Sequence, residues 1–240
     1  MLNLFKKKKP YLHFWSSISE IEKTDPIRPA AKLIPYWYKH LKPSIPEHDK
    51  ELDPGTVKTC PSFITYFKTL YTMTLWCDVK IKIDDDLYEW ITPDPRFSLT
   101  SHLSSQMKDH LPQHEKERTK MIMKTICPWK AKTSEGYMLM QLPCTYEYNP
   151  IFEAPPGFIE TSFYHELNPQ LIFRQKGVFL IERGTPLCHY ALVKKEEVDF
   201  KVFSKKEYFA IDPTYESMVN TKFQRVYKEV EKRHKTTQYD

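Results

Sequence analysis

Proline constrains this chain more than any other residue, because it is spread along the sequence and far outnumbers glycine. The 240 residues include 19 prolines but only 5 glycines. Proline ends helices and is confined to the ends and edges of strands. Aromatic residues make up 14% of the chain, and aromatic side chains favour strands. The composition therefore favours a mainly β body with short, rigid connections.

The clearest strand signal lies in Thr74–Ile83, where apolar and polar residues alternate without a break. This period of two is the pattern of a strand with one buried face. The aspartates Asp84–Asp86 follow it and predict a turn, because aspartate tolerates turn geometry and bonds its own backbone. Leu87–Ile91 then reads as a returning strand, so the whole segment is predicted to be a β-hairpin.

Further short runs of strand character follow in the second half of the chain, separated by turns that contain glycine or proline. Short strands at spacings of about ten residues are typical of sandwiches, barrels and jelly rolls. The predicted strands are Trp129–Lys132, Tyr137–Leu142, Phe158–Phe163, Leu171–Arg174, Val178–Ile181 and Leu187–Val193. We expect a mainly β fold, α+β overall, built as an antiparallel β-sandwich or barrel.

Three regions are predicted along the chain. Residues 1–56 form a proline-rich N-terminal arm, and residues 57–198 form the β-rich core. Within this core, residues 101–126 have a helical pattern and are predicted to be an insertion between strands. Residues 199–240 contain a charged linker and an amphipathic helix, because Asp212-Pro213 is a typical helix start.

Charge and cysteine content exclude several functional classes. The net charge of +5 is not gathered into a sustained basic stripe, so a nucleic-acid partner is not expected. The five cysteines are odd in number and lack the close spacing of a zinc site, so we read them as reduced thiols in a cytoplasmic protein. The chain has no run of 18 apolar residues, and no membrane span is expected.

One candidate binding surface follows from the best predicted strand. Trp76 and Asp78 fall on its more polar face, and Trp90 on the returning strand is expected near them. Aromatic side chains interleaved with lysines can stack on bases or form the centre of a protein interface. The alternative is that the N-terminal arm or the helical insertion covers this face.

A second candidate site combines histidine with an acid. His165, Glu166 and His189 lie in neighbouring predicted strands, and imidazole with carboxylate is a ligand set for iron or zinc. The run from Val178 to His189 is similar to the second motif of the cupins, which implies a metalloprotein. However, adjacent residues of a strand point to opposite faces, and hydrogen-bonded structural histidines are the alternative. The cofactor stays unidentified.

A third candidate is nucleotide chemistry. Gly157-Phe158-Ile159-Glu160, followed by Phe163, resembles the third motif of the trimeric dUTPase and dCTP deaminase superfamily. The run Phe179–Tyr190, which contains Arg183, resembles the closing strands of that superfamily. The resemblance implies that Glu160 activates water and that Phe163 stacks on a base, with Glu and Phe in place of the family's Asp and Tyr. Arg183, which lies in this run, is a further candidate binding residue.

Most of the chain resembles an uncharacterised family of tailed-bacteriophage proteins found in phages of marine bacteria. The motifs that carry this resemblance are Thr56–Pro61, Leu75–Asp78, Cys127–Lys130, Gly157–Glu160 and Arg183–Pro186. It implies a setting in the host cytoplasm or the virion. We expect a non-enzymatic binding or assembly protein whose partner is a phage or host protein, or a second copy of the chain. The alternatives are a nucleotide-processing enzyme centred on Glu160 and a cupin-like metalloprotein.

Overall fold

The protein is mainly β and belongs to the α+β class, as the sequence predicts. The structure is a computed structural model that describes residues 9–44, 56–84 and 87–202, together with Lys232. The strands are β1 (Leu12–Ser16), β2 (Arg28–Pro29), β3 (Tyr71–Thr74), β4 (Val79–Asp84), β5 (Leu87–Ile91), β6 (Ser98–Ser101), β7 (Met121–Ile126), β8 (Trp129–Thr133), β9 (Tyr137–Leu142), β10 (Phe152–Glu153), β11 (Gly157–Ile159), β12 (Gln170–Phe173), β13 (Gly177–Ile181) and β14 (Pro186–Lys194). The α-helices are α1 (Ser19–Thr24), α2 (Tyr36–His40), α3 (Pro61–Thr69) and α4 (Gln113–Arg118).

The described residues divide into two compact units. The first contains the described residues of Met1–Leu33 and Thr69–Glu196, and the second contains those of Ile34–Lys68 and Glu197–Asp240. The predicted boundaries after residues 56 and 198 stay predictions. Strand β1, from the predicted arm, pairs along its whole length with β8, from the predicted core.

All strand pairing among the described residues is antiparallel. The sheets have the strand orders β1-β8, β10-β12-β7-β6, β11-β9-β14-β3-β2 and β13-β4-β5. No barrel closes among these strands, so the barrel alternative is wrong for the described part of the chain. The strands predicted at Tyr137–Leu142 and Val178–Ile181 are confirmed as β9 and β13.

The predicted hairpin is confirmed, but its first strand begins at Val79 and not at Thr74. Lys82 pairs with Glu89 and Asp84 with Leu87, whereas Asp85 and Asp86 lie outside the described residues. Strand β3 ends before Leu75 and joins the β14 sheet, and β4 begins after Asp78 and joins the β13 sheet. Residues 75–78 therefore pass from one sheet to another. The alternation of apolar and polar residues does not determine which of their side chains are buried.

The predicted helical insertion at residues 101–126 is only partly helical. Short 3-10 turns and α4 occupy its first part, but the chain becomes strand β7 at Met121. β7 lies between β12 and β6, and Met121, Ile122 and Met123 are all buried. A strand that is covered on both faces has a continuous apolar run rather than strict alternation, and over this length such a run resembles a buried helix segment.

The core of the first unit collects buried side chains from all of these sheets. Trp129, Phe173, Ile81 and Tyr190 are among its largest fully buried members and come from four different sheets. Burial of each large apolar side chain contributes roughly 2 kcal/mol. Because every sheet contributes to one cluster, loss of any sheet would open the same core.

The second unit has a small aromatic cluster of its own. Tyr38 on α2 stacks on Phe63 of α3 with ring centroids 4.7 Å apart, and Phe67 lies one helical turn further on. Lys58 donates through Nζ to the carbonyl oxygens of Tyr38 and Lys39 at 2.9 and 3.0 Å. These bonds cap the carboxyl end of α2, where a positive charge is favourable.

One predicted feature cannot be compared with the structure. Apart from Lys232, the amphipathic helix predicted from Asp212 lies outside the described residues. Among the helices that are described, none is long and apolar enough to cross a membrane.

Candidate functional site

A cleft of about 570 Å³ opens on the surface of the first unit. Its charged lining residues are Glu20, Asp25, Asp78, Asp94, Arg96 and Arg183. They come from four separate segments, namely α1 and its end, the crossover between β3 and β4, the loop after β5 and the turn after β13. The cleft therefore depends on the tertiary fold and not on one local motif.

The structure brings together three residues that the sequence marks as binding candidates. Trp76, Asp78 and Arg183 all line this cleft. The turn after β13 is held against the crossover by two backbone bonds, from Gly184 N to Leu75 O and from Leu75 N to Thr185 O, each 2.8 Å. Gly184 has φ +88°, a conformation that favours glycine.

Arg183 connects two of the aspartates that line the cleft. Its guanidinium donates to both carboxylate oxygens of Asp25, at 2.9 Å from Nε and 2.7 Å from Nη2. Its backbone N–H donates to Oδ1 of Asp78 at 2.7 Å. The hydrogen bond with Asp25 raises the pKa of the Arg183 guanidinium. Both carboxylates are therefore drawn toward one arginine, which stays fully charged.

Arg96 forms a similar pair with Asp94. Its Nε and Nη2 donate to Oδ1 and Oδ2 of Asp94 at 2.8 and 2.7 Å, and its backbone N–H donates to Oδ1 at 2.9 Å. These bonds lower the pKa of the Asp94 carboxyl. Glu20 lies 3.5 Å from Arg96 and its side chain is 69% exposed. Arg96 is therefore already occupied, and Glu20 keeps most of its contact with solvent.

The charges that line the cleft do not balance. Four carboxylates meet two guanidinium groups, and each guanidinium is held by two hydrogen bonds to one aspartate. The carboxylates of Glu20 and Asp78 remain in excess. A cleft between low-dielectric walls focuses such a field, so the chemistry of this site favours a cation.

Apolar residues form the rest of the lining. Ile21, Trp76 and Cys77 are buried, and Trp76 packs on Phe97 with ring centroids 5.4 Å apart. The indole Nε1 of Trp76 is buried without a hydrogen-bond partner among the described residues. Burial raises the pKa of the Cys77 thiol, so this sulfur is not a nucleophile at neutral pH.

The prediction that Trp76 and Trp90 form an exposed aromatic surface is wrong. Trp76 is 4% exposed, because it lies in the crossover between sheets and not on the polar face of a strand. Trp90 packs against the core, in contact with Phe97. The exposed residues of the same strand are Leu87, Glu89 and Ile91. The alternation of β5 thus directs its aromatic residues inward, and two aliphatic residues and a glutamate outward.

Glu160 lies outside the cleft, at the end of β11. Ser162 Oγ donates to its Oε1 at 2.5 Å, and Lys195 forms an ion pair with its Oε2. The hydrogen bonds from Lys195 and Ser162 lower the pKa of the Glu160 carboxyl. Phe163 is 77% exposed. Glu160 therefore links the turn after β11 to the end of β14, whereas Phe163 is free to contact a ligand.

His165, Glu166 and His189, the predicted acid–histidine cluster, each contact a different partner in the structure. His189 Nδ1 lies 2.9 Å from Thr72 Oγ1 in the core, and burial lowers the pKa of His189 to about 4. His165 donates from Nδ1 to the Ala131 carbonyl at 3.0 Å, while Glu166 accepts from Lys130 Nζ at 2.5 Å. Within the described part of the chain, no group of three or more histidine, cysteine or acidic side chains is placed to hold a metal.

Sequence reasoning missed four charged residues of the cleft: Glu20, Asp25, Asp94 and Arg96. Asp94-Pro95-Arg96 had a local signal, because an aspartate two residues before an arginine can bond both its backbone and its side chain. Asp25 had none, since its partner Arg183 is 158 positions away. No protein-family model and no curated protein sequence matches this chain.

Proposed function

We propose that the protein is a non-enzymatic binding protein that holds a cationic segment of a partner protein in this cleft. The observation that carries the proposal is the excess of carboxylates over guanidinium groups in the lining. Both arginines already donate to aspartates, and this pairing offsets the positive charge that would attract an anionic ligand. A cationic ligand meets Glu20 and Asp78 without breaking either pair.

The apolar lining favours a lysine or arginine side chain over a simple cation. These side chains bury an alkyl stem along apolar surface and keep the charged head beside polar groups. Ile21, Pro93 and Pro95 supply apolar surface near the carboxylates.

The resemblance to tailed-phage proteins supports the setting of this proposal. It favours a phage or host protein as the partner, and the host cytoplasm or the virion as the place where binding occurs. A role in assembly needs recognition of another chain and no turnover. Both parts of the proposal therefore lead to the same experiment, which measures peptide binding.

The test uses a short fluorescent peptide that contains lysines and a matched peptide with glutamate at each lysine position. Fluorescence anisotropy with the full-length protein should show binding of the basic peptide only. Loss of one exposed charge contact weakens binding by roughly two- to fivefold. We therefore expect Glu20→Gln to raise the Kd by that factor. Added salt should weaken binding further, because it screens exposed charges.

Glu22→Gln is the matched control. Glu22 is exposed on the same helix but does not line the cleft, so its substitution removes the same charge from a neighbouring position. Equal weakening by Glu22→Gln would reduce the effect to net charge and contradict a cleft site. Preference for the acidic peptide would overturn the proposal outright.

A further inference from the structure

Strand β13 is an edge strand with unusual chemistry. It pairs with β4 on one side, and no described strand pairs with its other side. Its sequence, Gly-Val-Phe-Leu-Ile, contains neither a charge nor a proline. Val178 and Leu180 are 58% and 59% exposed. Within the described part of the chain, one edge of this strand thus has no strand partner and lies beside exposed aliphatic side chains.

Natural proteins usually protect such an edge. They place lysine or proline on it, shorten it, insert a bulge or cover it with another element, because an open edge is a template for another strand. β13 pairs with β4 over five consecutive residues without a shift in register. A regular, uncharged edge of this length is suited to pairing, and the open question is which strand it takes.

When β13 pairs antiparallel with β13 of a second copy, one register gives complementary side-chain pairs. A two-fold axis at Phe179 places Val178 opposite Leu180 of the second copy, and Leu180 opposite Val178. The same register places Lys176 opposite Glu182 of the second copy, so opposite charges meet at both ends of the strand. Lys176 and Glu182 are both exposed. The edge is thus self-complementary, as an interface with two-fold symmetry requires.

Other registers are less favourable. A slip of one residue would set Val178 opposite Phe179, although these side chains point to opposite faces of the sheet. A slip of two residues places either Val178 against Glu182 or Leu180 against Lys176. Only the register centred on Phe179 pairs aliphatic with aliphatic residues and lysine with glutamate.

We propose that two copies of this chain form a symmetric dimer through β13, which joins their three-stranded sheets into one sheet of six strands. The order across the dimer is β5-β4-β13 of one copy followed by β13-β4-β5 of the other. Phe179 stays packed on the core of its own copy. This inference rests on the edge and its register and is independent of the ligand in the cleft.

The experiment measures molar mass as a function of protein concentration by sedimentation equilibrium. The unsubstituted protein should show a monomer–dimer equilibrium. Lys176→Glu places two glutamates at each end of the interface, and Glu182→Lys places two lysines there. Two lost ion pairs, replaced by like charges, should raise the dimer Kd at least about tenfold in either variant.

Two combinations separate this register from a general effect of charge. The double variant Lys176→Glu with Glu182→Lys restores both pairs and should dimerise like the unsubstituted protein. An equimolar mixture of the two single variants should form a heterodimer, because each supplies the charge that the other needs. Circular dichroism confirms that every variant is folded.

Two results would overturn the proposal. One is a protein that stays monomeric at every concentration tested. The other is a dimer whose Kd is unchanged in both single variants, which would place the interface elsewhere. Since none of these substitutions touches the lining of the cleft, failure here leaves the peptide-binding proposal intact, and the reverse also holds.

Discussion

Arg183 and Asp25 are 158 positions apart in the chain and are joined by two hydrogen bonds between guanidinium and carboxylate. Asp25 is the C-cap residue of α1, where a negative charge is unfavourable because the helix dipole is negative at that end. Arg183 offsets this charge. The pair therefore stabilises the end of a helix and one wall of the cleft together.

We expect Arg183→Ala to lower the free energy of unfolding by about 1 kcal/mol, since the arginine is half exposed and solvent screens the pair. Asp25→Asn should have a similar effect. A double-mutant cycle followed by urea denaturation measures their coupling, which should also be about 1 kcal/mol. Lys23→Ala, an exposed change on α1, is the control. Additive effects of the two cleft variants would show that the pair contributes nothing to stability.

His189 should make stability depend on pH. Its pKa falls from 6.5 to about 4 because burial disfavours the charged imidazolium. Between these values the unfolded chain binds a proton that the native protein excludes, so the free energy of unfolding decreases as the pH falls from 6.5 to 4. The total loss is on the order of 3 kcal/mol. Below pH 4 both states are protonated and this contribution stays constant.

His189→Gln should flatten that part of the pH profile, because glutamine keeps a polar group beside Thr72 but does not titrate. Urea denaturation at a series of pH values measures the slope. His114→Gln is the matched control, since His114 has a 75% exposed side chain. If the slope survives in His189→Gln, another group is responsible for it.

Buried cysteines should resist thiol reagents. Burial raises the pKa of Cys188 to about 12 and also raises the pKa of Cys127 and Cys144. The reactive thiolate is therefore scarce at pH 8. Native protein treated with a disulfide reagent should be labelled first at Cys60, which is half-buried, and at Cys188 only after denaturation. Mass spectrometry locates the label, and rapid native labelling of Cys188 would contradict this packing.

Glu160 separates the binding proposal from the nucleotide-processing alternative. We expect Glu160→Gln to fold and to shift Tm only slightly, because the carboxylate is partly exposed and its ion pair lies at the surface. Pyrimidine nucleoside triphosphates should not change the Tm of either protein. A nucleotide-dependent rise in Tm that is lost in Glu160→Gln, but kept in the exposed turn variant Glu135→Gln, would favour the enzyme.

The parts of the fold that the sequence predicts well are those decided by neighbouring residues. Strands β9 and β13 lie where short apolar runs are bounded by turn residues, and the β4–β5 hairpin follows from alternation and a run of aspartates. The sequence predicts helix where strand β7 lies, because Met121, Ile122 and Met123 are all buried and a strand covered on both faces lacks alternation. Sequence periodicity identifies an element with one buried face, but it does not identify a short strand that is buried on both faces.

The candidate site was predictable only in part, for the same reason. The sequence identifies Asp78 and Arg183 as binding candidates. It places Trp76 on the polar face of a strand, although Trp76 lies between β3 and β4. The change of sheet between β3 and β4 is set by pairing with β14 and β13, which lie about a hundred residues later in the chain. The partnership of Asp25 with Arg183 has no local signal, because tertiary packing alone creates it.

The pairing of β1 with β8 also sets an order of events during synthesis. Phe14 pairs with Ala131 and Leu12 with Thr133, so the first strand has no partner until the ribosome has passed the middle of the chain. At 5–20 residues per second this delay is on the order of ten seconds. Strand β1 is thus made well before its partner, and a fragment that stops before β8 leaves Phe14 and Trp15 open to chaperones or to aggregation.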